Sequence, residues 1–407
     1  MIGGHALLGR ETTAKLSGLL VASTHAGMVV RSNMSVDPVR QRLSADCQTT
    51  TSFSNSHIAK ASKAEVERSV PLKSAANENV VLRTVTVMIV AGAALLAVSL
   101  TNTSVIRAQS PRRAGPSTLP LPDEPAGIDG IARTLVSAFD QFDVVALGEA
   151  HQRRQDADLR IAVIRHPDFT KKVRSIVVEF GSTSEQSTLD RYIRGENISR
   201  AQLEPVWKTT TQAANGIWDA PMYAEFLAAV RDLNATLPAE ARVRVLGGDP
   251  GRGDNRSRET AAFSVLKEQV LQRHGKALVI YGGAHFYRAM PPEFLSSMGV
   301  DSGLVKMLDK DYPGRTFAVI PLGPFDVPPG LPKAVEPDYR KFNRALTTEV
   351  RPVLVSLQRL PFRDFTAEEF MGNTLFTCVG PGGCRSAFKG STLTLGQMAD
   401  ACIYFGK

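Results

Sequence analysis

The sequence predicts an α/β domain in which a mainly parallel sheet is flanked by helices. Three observations carry this. Short, near-continuous apolar runs rich in β-branched residues recur from about Gly127 onward, the pattern of strands buried on both faces. Stretches with helical spacing separate those runs, so strand and helix alternate as they do in a parallel sheet covered by helices. Neither an internal repeat nor a glycine-rich phosphate loop interrupts that order.

The predicted strands are, in order, Asp143–Gly148 (DVVALG), Ser175–Phe180 (SIVVEF), Val243–Asp249 (VRVLGGD), Ala277–Gly283 (ALVIYGG) and Thr316–Ile320 (TFAVI). Between the second and third, Met222, Phe226, Val230 and Leu233 fall at near-helical intervals, with Asp219 as cap and Pro221 in the first turn. Leu266, Val270 and Leu271 mark a second helix over Thr260–Arg273, which Gly275 is expected to stop. Trp207 and Trp218 flank Thr209, Thr210 and Thr211, a stretch that reads either as a lid or as an exposed loop with buried tryptophans. A proline-rich connection over residues 323–338 leads to a terminal segment, Tyr339–Lys407, with no legible role.

At 407 residues the chain exceeds one domain of about 100–200 residues, so the folded domain must carry appendages or a companion. Hydrophobics at 43% and charged residues at 22% exclude a wholly disordered, collagen-like or multi-spanning chain. Of the net charge of +8, residues 1–108 supply +5 through 11 Lys/Arg against 6 Asp/Glu. The remaining +3 is no excess that demands nucleic acid as a partner. Residues 1–108 read as a leader, 109–126 as an extended linker with five prolines, and 127–407 as the α/β domain with its C-terminal segment.

Within the leader, Val85–Leu100 is an uncharged apolar stretch flanked by Arg83 and Arg107, slightly short for a membrane span. It has the length of a signal-peptide core, with a small-residue cleavage site at Ile106-Arg107-Ala108. Either it is an uncleaved anchor with a tail before it, or translation begins near Val80 or Val81, which leaves Leu82-Arg83-Thr84 as a short basic lead. Both readings put the folded domain outside the cytoplasm, in the periplasm or secreted. Cys47 lies in the leader, and Cys378, Cys384 and Cys402 follow near the end. An odd set outside the cytoplasm predicts one disulfide among three pairings plus a free thiol. The turn Val-Gly-Pro-Gly-Gly would bring Cys378 and Cys384 together, and no CxxC or nearby His completes a metal site.

Chemistry gathers at the strand ends. Gly148-Glu149-Ala150-His151 ends the first, Glu179-Phe180-Gly181 the second, Gly247-Gly248-Asp249 the third and Gly282-Gly283-Ala284-His285 the fourth. Ligands of open parallel sheets bind outside these carboxyl ends, so the groups converge if the strands are suitably ordered. Each alone has a bland reading: Glu179 as an ion-pair partner, His285 as a satisfied structural histidine, Asp249 as a helix cap. Their recurrence at corresponding positions is what makes a site. Arg252, Arg256 and Arg258 follow Asp249, either as a solvated turn or as a contact to a substrate anion.

The order of these motifs, with Arg231-Asp232-Leu233-Asn234 ending the intervening helix, resembles the erythromycin-esterase and ChaN-like superfamily, which includes the TraB and Tiki proteins. The likeness runs from about Asp143 to Arg288, with a weaker echo in Asp400–Phe405. It implies an EreA/ChaN-like fold. In the esterase branch an Arg follows the first His by nine residues, the place that Arg160 holds here; the single residue between Glu149 and His151 is closer to the ChaN and Tiki side.

His151, oriented by Glu149 or Glu179, is then expected to act as a general base on water. His285 would protonate a leaving group or bind the oxyanion, Arg160 would meet developing charge, and Asp249, Arg258 and Tyr287 would contact a small-molecule substrate. The absence of a G-x-S-x-G elbow points to direct attack by water. Glu149, His151, Glu179 and His285 equally satisfy the ligand inventory for Zn or Mn. The ChaN likeness implies haem instead, with His285 and Tyr287, or Tyr281, as axial candidates.

Overall fold

The computed structural model describes residues 21–24, 27–32, 121, 124–298, 302–323, 338–372, 375–379 and 384–406. They fall in one compact unit drawn from Met1–Asn33 and Ala114–Lys407. Its strands are β1 (Val21–Thr24), β2 (Gly27–Ser32), β3 (Val144–Glu149), β4 (Ser175–Ser182), β5 (Arg244–Asp249), β6 (Ala277–Gly282), β7 (Thr316–Leu322), β8 (Val353–Ser356), β9 (Leu375–Val379), β10 (Cys384–Ser386) and β11 (Ala401–Tyr404). Five helices frame the site: α1 (Gly127–Ala138), α2 (Arg154–Arg165), α3 (Pro221–Ala235), α4 (Arg258–Gln269) and α5 (Leu304–Asp311).

The five predicted strands all form and join one seven-stranded sheet, ordered β5-β4-β6-β3-β7-β11-β8. Every neighbouring pair is parallel except β11 and β8, so the α/β expectation holds. Alternate residues feed opposite cores, as the two-residue period of a strand requires. Val144, Ala146, Val279 and Tyr281 pack with residues of α4 and α5 on one face. Val145, Leu147, Leu278 and Ile280 pack with residues of α1, α2 and α3 on the other. Burial of such side chains, at roughly 1.5–3 kcal/mol each, is what makes the runs continuous rather than alternating.

The terminal segment acquires a role: β11 adds a parallel strand beside β7, and β8 closes that edge antiparallel. The end of the proline-rich linker is also built in. Ala126 bridges Val353, and the Glu124 carboxylate takes the Thr347 N–H at 2.6 Å and pairs with Arg359. A second sheet, β1-β2-β9-β10, draws on two short strands within residues 1–108 that the sequence did not announce. The Val85–Leu100 segment and the 324–337 connection lie outside the described residues. Among the described residues no helix is long and apolar enough to cross a membrane.

Two local expectations change. No side chain caps α3, whose N-cap is Ala220, although Pro221 does occupy the first turn. Helix α4 starts earlier than expected, with Ser257 accepting the Thr260 N–H, and the chain reverses at His274 (φ 55°) rather than at Gly275. Cys384 is disulfide-bonded and lies directly across the β9–β10 ladder from Cys378, while Cys402 is a buried free thiol.

Candidate functional site

Strands β5, β4, β6 and β3 are consecutive in the sheet, so Asp249, Glu179, the Gly282–His285 turn and Glu149–His151 end side by side at its carboxyl edge. All three carboxylates lie on strands: Glu149 pairs with Gly282 and Asp249 with Ser182, while Glu179 sits in the register shift of β4 between Val178 and Ser182.

After β3 the chain turns sharply. The Ala150 N–H donates to Asp156 at 3.0 Å, and Gln152 adopts a left-handed backbone (φ 64°) that a non-glycine residue rarely takes. Gln152 is held there by its N–H on the Tyr223 hydroxyl at 3.0 Å and its side-chain amide on the Ile217 carbonyl at 2.7 Å. This turn aims His151 back over β6. His151 Nδ1 lies 3.0 Å from Glu149 Oε1, to which the Tyr223 hydroxyl also donates at 3.1 Å. Arg160 ion-pairs with the other Glu149 oxygen, donates to the Met222 carbonyl at 3.0 Å and lies over the Tyr223 ring at 4.9 Å. Burial, then the neighbouring Glu149 charge, pushes the Tyr223 phenol far up, so it stays a neutral donor. The Trp218 ring meets His151 edge-on at 4.8 Å. Gly282 lies beneath: a Cβ there would come within 2.8 Å of the imidazole, so only glycine admits the ring.

Glu179 links this half to the next. Its Oε2 accepts the Gly282 N–H at 2.7 Å and stands 3.8 Å from His151 Nε2. Its Oε1 takes His285 Nε2 and Arg258 Nη1, each at 3.1 Å. His285 Nδ1 is in turn 2.7 Å from Glu259 of α4, so both ring nitrogens face carboxylates. Burial alone would lower His285, but Glu179 and Glu259 outweigh it and raise the imidazole to about 9. Burial would raise the two acids; His285 outweighs that, holding Glu259 down to about 2 and Glu179 well below the usual carboxylate range.

A pH dependence follows. The folded His285 value lies above its ordinary 6.5, so its contribution to stability is complete below about pH 6.5 and is lost as pH rises through 9. Glu259, depressed from 4.5, contributes above that pH and loses its contribution as pH falls towards 2. Between pH 6.5 and 9.5 the melting temperature should therefore drop by roughly several degrees, read by calorimetry in constant salt. A flat profile over that range would show that His285 carries no proton there.

Several expected roles change with this geometry. Arg160, at 1% exposure, faces Glu149 and aromatic rings rather than substrate charge. Asp249 is consumed by the Thr211 N–H (2.9 Å), the Thr211 hydroxyl (2.6 Å) and the Gly251 N–H (2.8 Å), so it ties down the Thr-rich segment instead of contacting substrate. With Trp207 and Trp218 both buried, that segment packs against the sheet end. Tyr287 is buried in the α4/α5-side core against Phe388. Arg258, with its side chain 14% exposed, is the most open cation of the set. Tyr223 and Glu259 complete the site and were not singled out from sequence, while Trp218, named only as a flank of the Thr-rich stretch, joins it through His151. Tyr223 shares a helical face with Phe226 and Val230, and Glu259 occupies the first turn of α4, where an acid is favoured.

The cluster does not fit the metal reading. Both His285 nitrogens face carboxylates, His151 Nε2 alone of the two imidazoles is open, and among the described residues no group of three or more His, Cys, Asp or Glu is arranged to hold an ion. Haem fits no better. His285 and Tyr287 are enclosed, and the Tyr281 hydroxyl is packed over Gly248, where a Cβ would lie 1.9 Å away.

The family model described as haem-binding uptake, Tiki superfamily, ChaN matches residues 135–244, under half of the chain. That segment contains Glu149, His151, Arg160 and Glu179, and the match bears out the resemblance carried by the motifs. No curated protein matches the sequence. Among solved structures, a succinoglycan biosynthesis protein aligns over 70% of this chain and 94% of its own at 10% identity, with a TM-score of 0.48. A mutant of the erythromycin esterase EreC in its open conformation aligns over 68% and 93% at 9% identity and 0.43. ChaN of Campylobacter jejuni, described with cofacial haem binding, aligns over 46% and 84% at 12% identity and 0.30.

Proposed function

We propose that this chain, ChaN-like over residues 135–244, is a hydrolase acting outside the cytoplasm on an ester, lactone or amide of a small-molecule substrate. The observation that carries this reading is the state of His151. Its Nδ1 is fixed by Glu149 at 3.0 Å, and its Nε2 makes no hydrogen bond among the described residues, with Glu179 nearest at 3.8 Å. At 8% exposure it is also the least enclosed imidazole of the pair. An imidazole oriented through one nitrogen and open at the other is a general base.

Water bound at Nε2 gives up a proton to His151 as its oxygen attacks the carbonyl carbon. The imidazolium so formed is stabilised by Glu149 on one side and by the Glu179 charge on the other. Collapse of the tetrahedral adduct breaks the bond to the leaving oxygen or nitrogen, which takes the proton back from His151. Arg258 is the cation placed to meet the oxyanion or a substrate acid group. The small charge excess of the domain supports a small-molecule substrate over nucleic acid, and the Cys384 disulfide supports an oxidising compartment.

Purified full-length protein, made without chelator, should hydrolyse members of an ester and lactone panel and show neither stoichiometric Zn or Mn nor a Soret band. Absence of turnover together with a Soret band would replace this reading with haem carriage.

A further inference from the structure

We infer that Glu259 is a positioning residue of this site: through His285 it fixes the orientation of Glu179, and thereby the surroundings of the His151 nitrogen that takes the proton. The inference rests on the proposed reaction and extends it to a residue on a different element, which touches no reacting atom.

Glu259 lies in the first turn of α4, set by the Ser257 cap, and is 3% exposed. Its carboxylate reaches His285 Nδ1 at 2.7 Å, the shortest link in the chain Glu259–His285–Glu179. Glu179 has two oxygens with separate tasks. Oε1 is held by His285 and Arg258, which leaves Oε2 turned to the Gly282 N–H and His151. A buried carboxylate with only one of these tethers could rotate about its terminal bond, because that torsion is broad. Two carboxylates on one imidazole keep the ring doubly protonated, so it donates to Glu259 on one side and to Glu179 on the other and ties the two together. Among the described residues, the charged or titratable groups facing His285 are Glu179 from β4, Glu259 and Arg258 from α4, Tyr281 near the end of β6 at 5.5 Å between rings, and His151 across Glu179.

The test compares wild-type full-length protein with E259Q and E259D, each labelled with 15N in the histidine rings. Ring spectra are recorded from pH 6 to 10, and the His285 signals are assigned by their loss in H285N. In the wild type the His285 ring should stay doubly protonated to about pH 9. In E259Q it should release its proton at least tenfold more readily, about one pH unit lower, and the His151 signals should move with it. E259D keeps the charge and should restore the wild-type pattern in part; if E259Q does not fold, the partial shift in E259D decides. On a hydrolysed substrate, E259Q should lose kcat on the alkaline side of its pH profile with KM little changed. Unchanged His285 and His151 signals in the variants would overturn the role of Glu259. Absence of hydrolysis by the wild type would overturn the proposed reaction while the ring spectra still decide this one.

Discussion

Replacing His151 with alanine is expected to cut turnover by about 10²–10⁴-fold, the range that a positioned general base supplies, while the melting temperature stays within about 3 °C of wild type. The two effects separate because of who depends on the ring. Glu149 retains Arg160 and Tyr223 when the imidazole is gone, so no buried charge is orphaned. The lost contacts are the hydrogen bond to Glu149, the approach to Glu179, one edge to Trp218 and the surface over Gly282. Steady-state kinetics beside calorimetry checks this. A variant that no longer folds would make His151 a structural residue and remove the base from the proposed reaction.

Glu179→Ala should behave in the opposite way, costing about 3–5 kcal/mol of folding stability, because it strips the partner from buried cations. Glu179 is 1% exposed and alone joins His285, Arg258 and the Gly282 N–H. Without it two positive charges and one buried N–H face each other with a single carboxylate, Glu259, left in reach. For a domain of this size, that loss lowers the melting temperature by roughly 10 °C. Urea unfolding of both variants places them on one scale. A Glu179→Ala protein as stable as His151→Ala would mean that His285 simply sheds its proton, and the charge relay would fall.

Much of this site was legible in the sequence because strands advertise their ends. The runs DVVALG and ALVIYG are apolar until the residue where chemistry begins, so Glu149, Glu179, Asp249 and the Gly282–His285 turn could be placed without knowing the strand order. What sequence could not supply was direction. Arg160 and Asp249 occur at motif positions yet turn inward, one to Glu149 and the other to Thr211, because each lies under a segment whose path depends on tertiary packing. Tyr223 was hidden for a related reason: within an apolar helical stripe, one hydroxyl aimed at a carboxylate looks like any other core aromatic. Glu259 stood next to a named residue, Arg258, but only the close approach of α4 to the β6 turn gives it a partner. The terminal segment carried no signal because β8 and β11 are four residues long each, too short for a period to be read.

The way the chain enters and leaves the sheet decides how this protein should be handled. Ala126 joins β8 at Val353, which pairs with Tyr404 at the end of β11, and Arg153, two residues after His151, covers Phe405 at 4.1 Å. Entry and exit therefore share the rim that carries the reacting cluster, displaced along it by three strand positions from β3, or about 15 Å. A solid support, reporter or purification handle inserted near Ala126 or Phe405 would crowd the approach to that rim. The exposed turn at Gly314, just before β7 begins, is on the opposite rim and is the place to attach one.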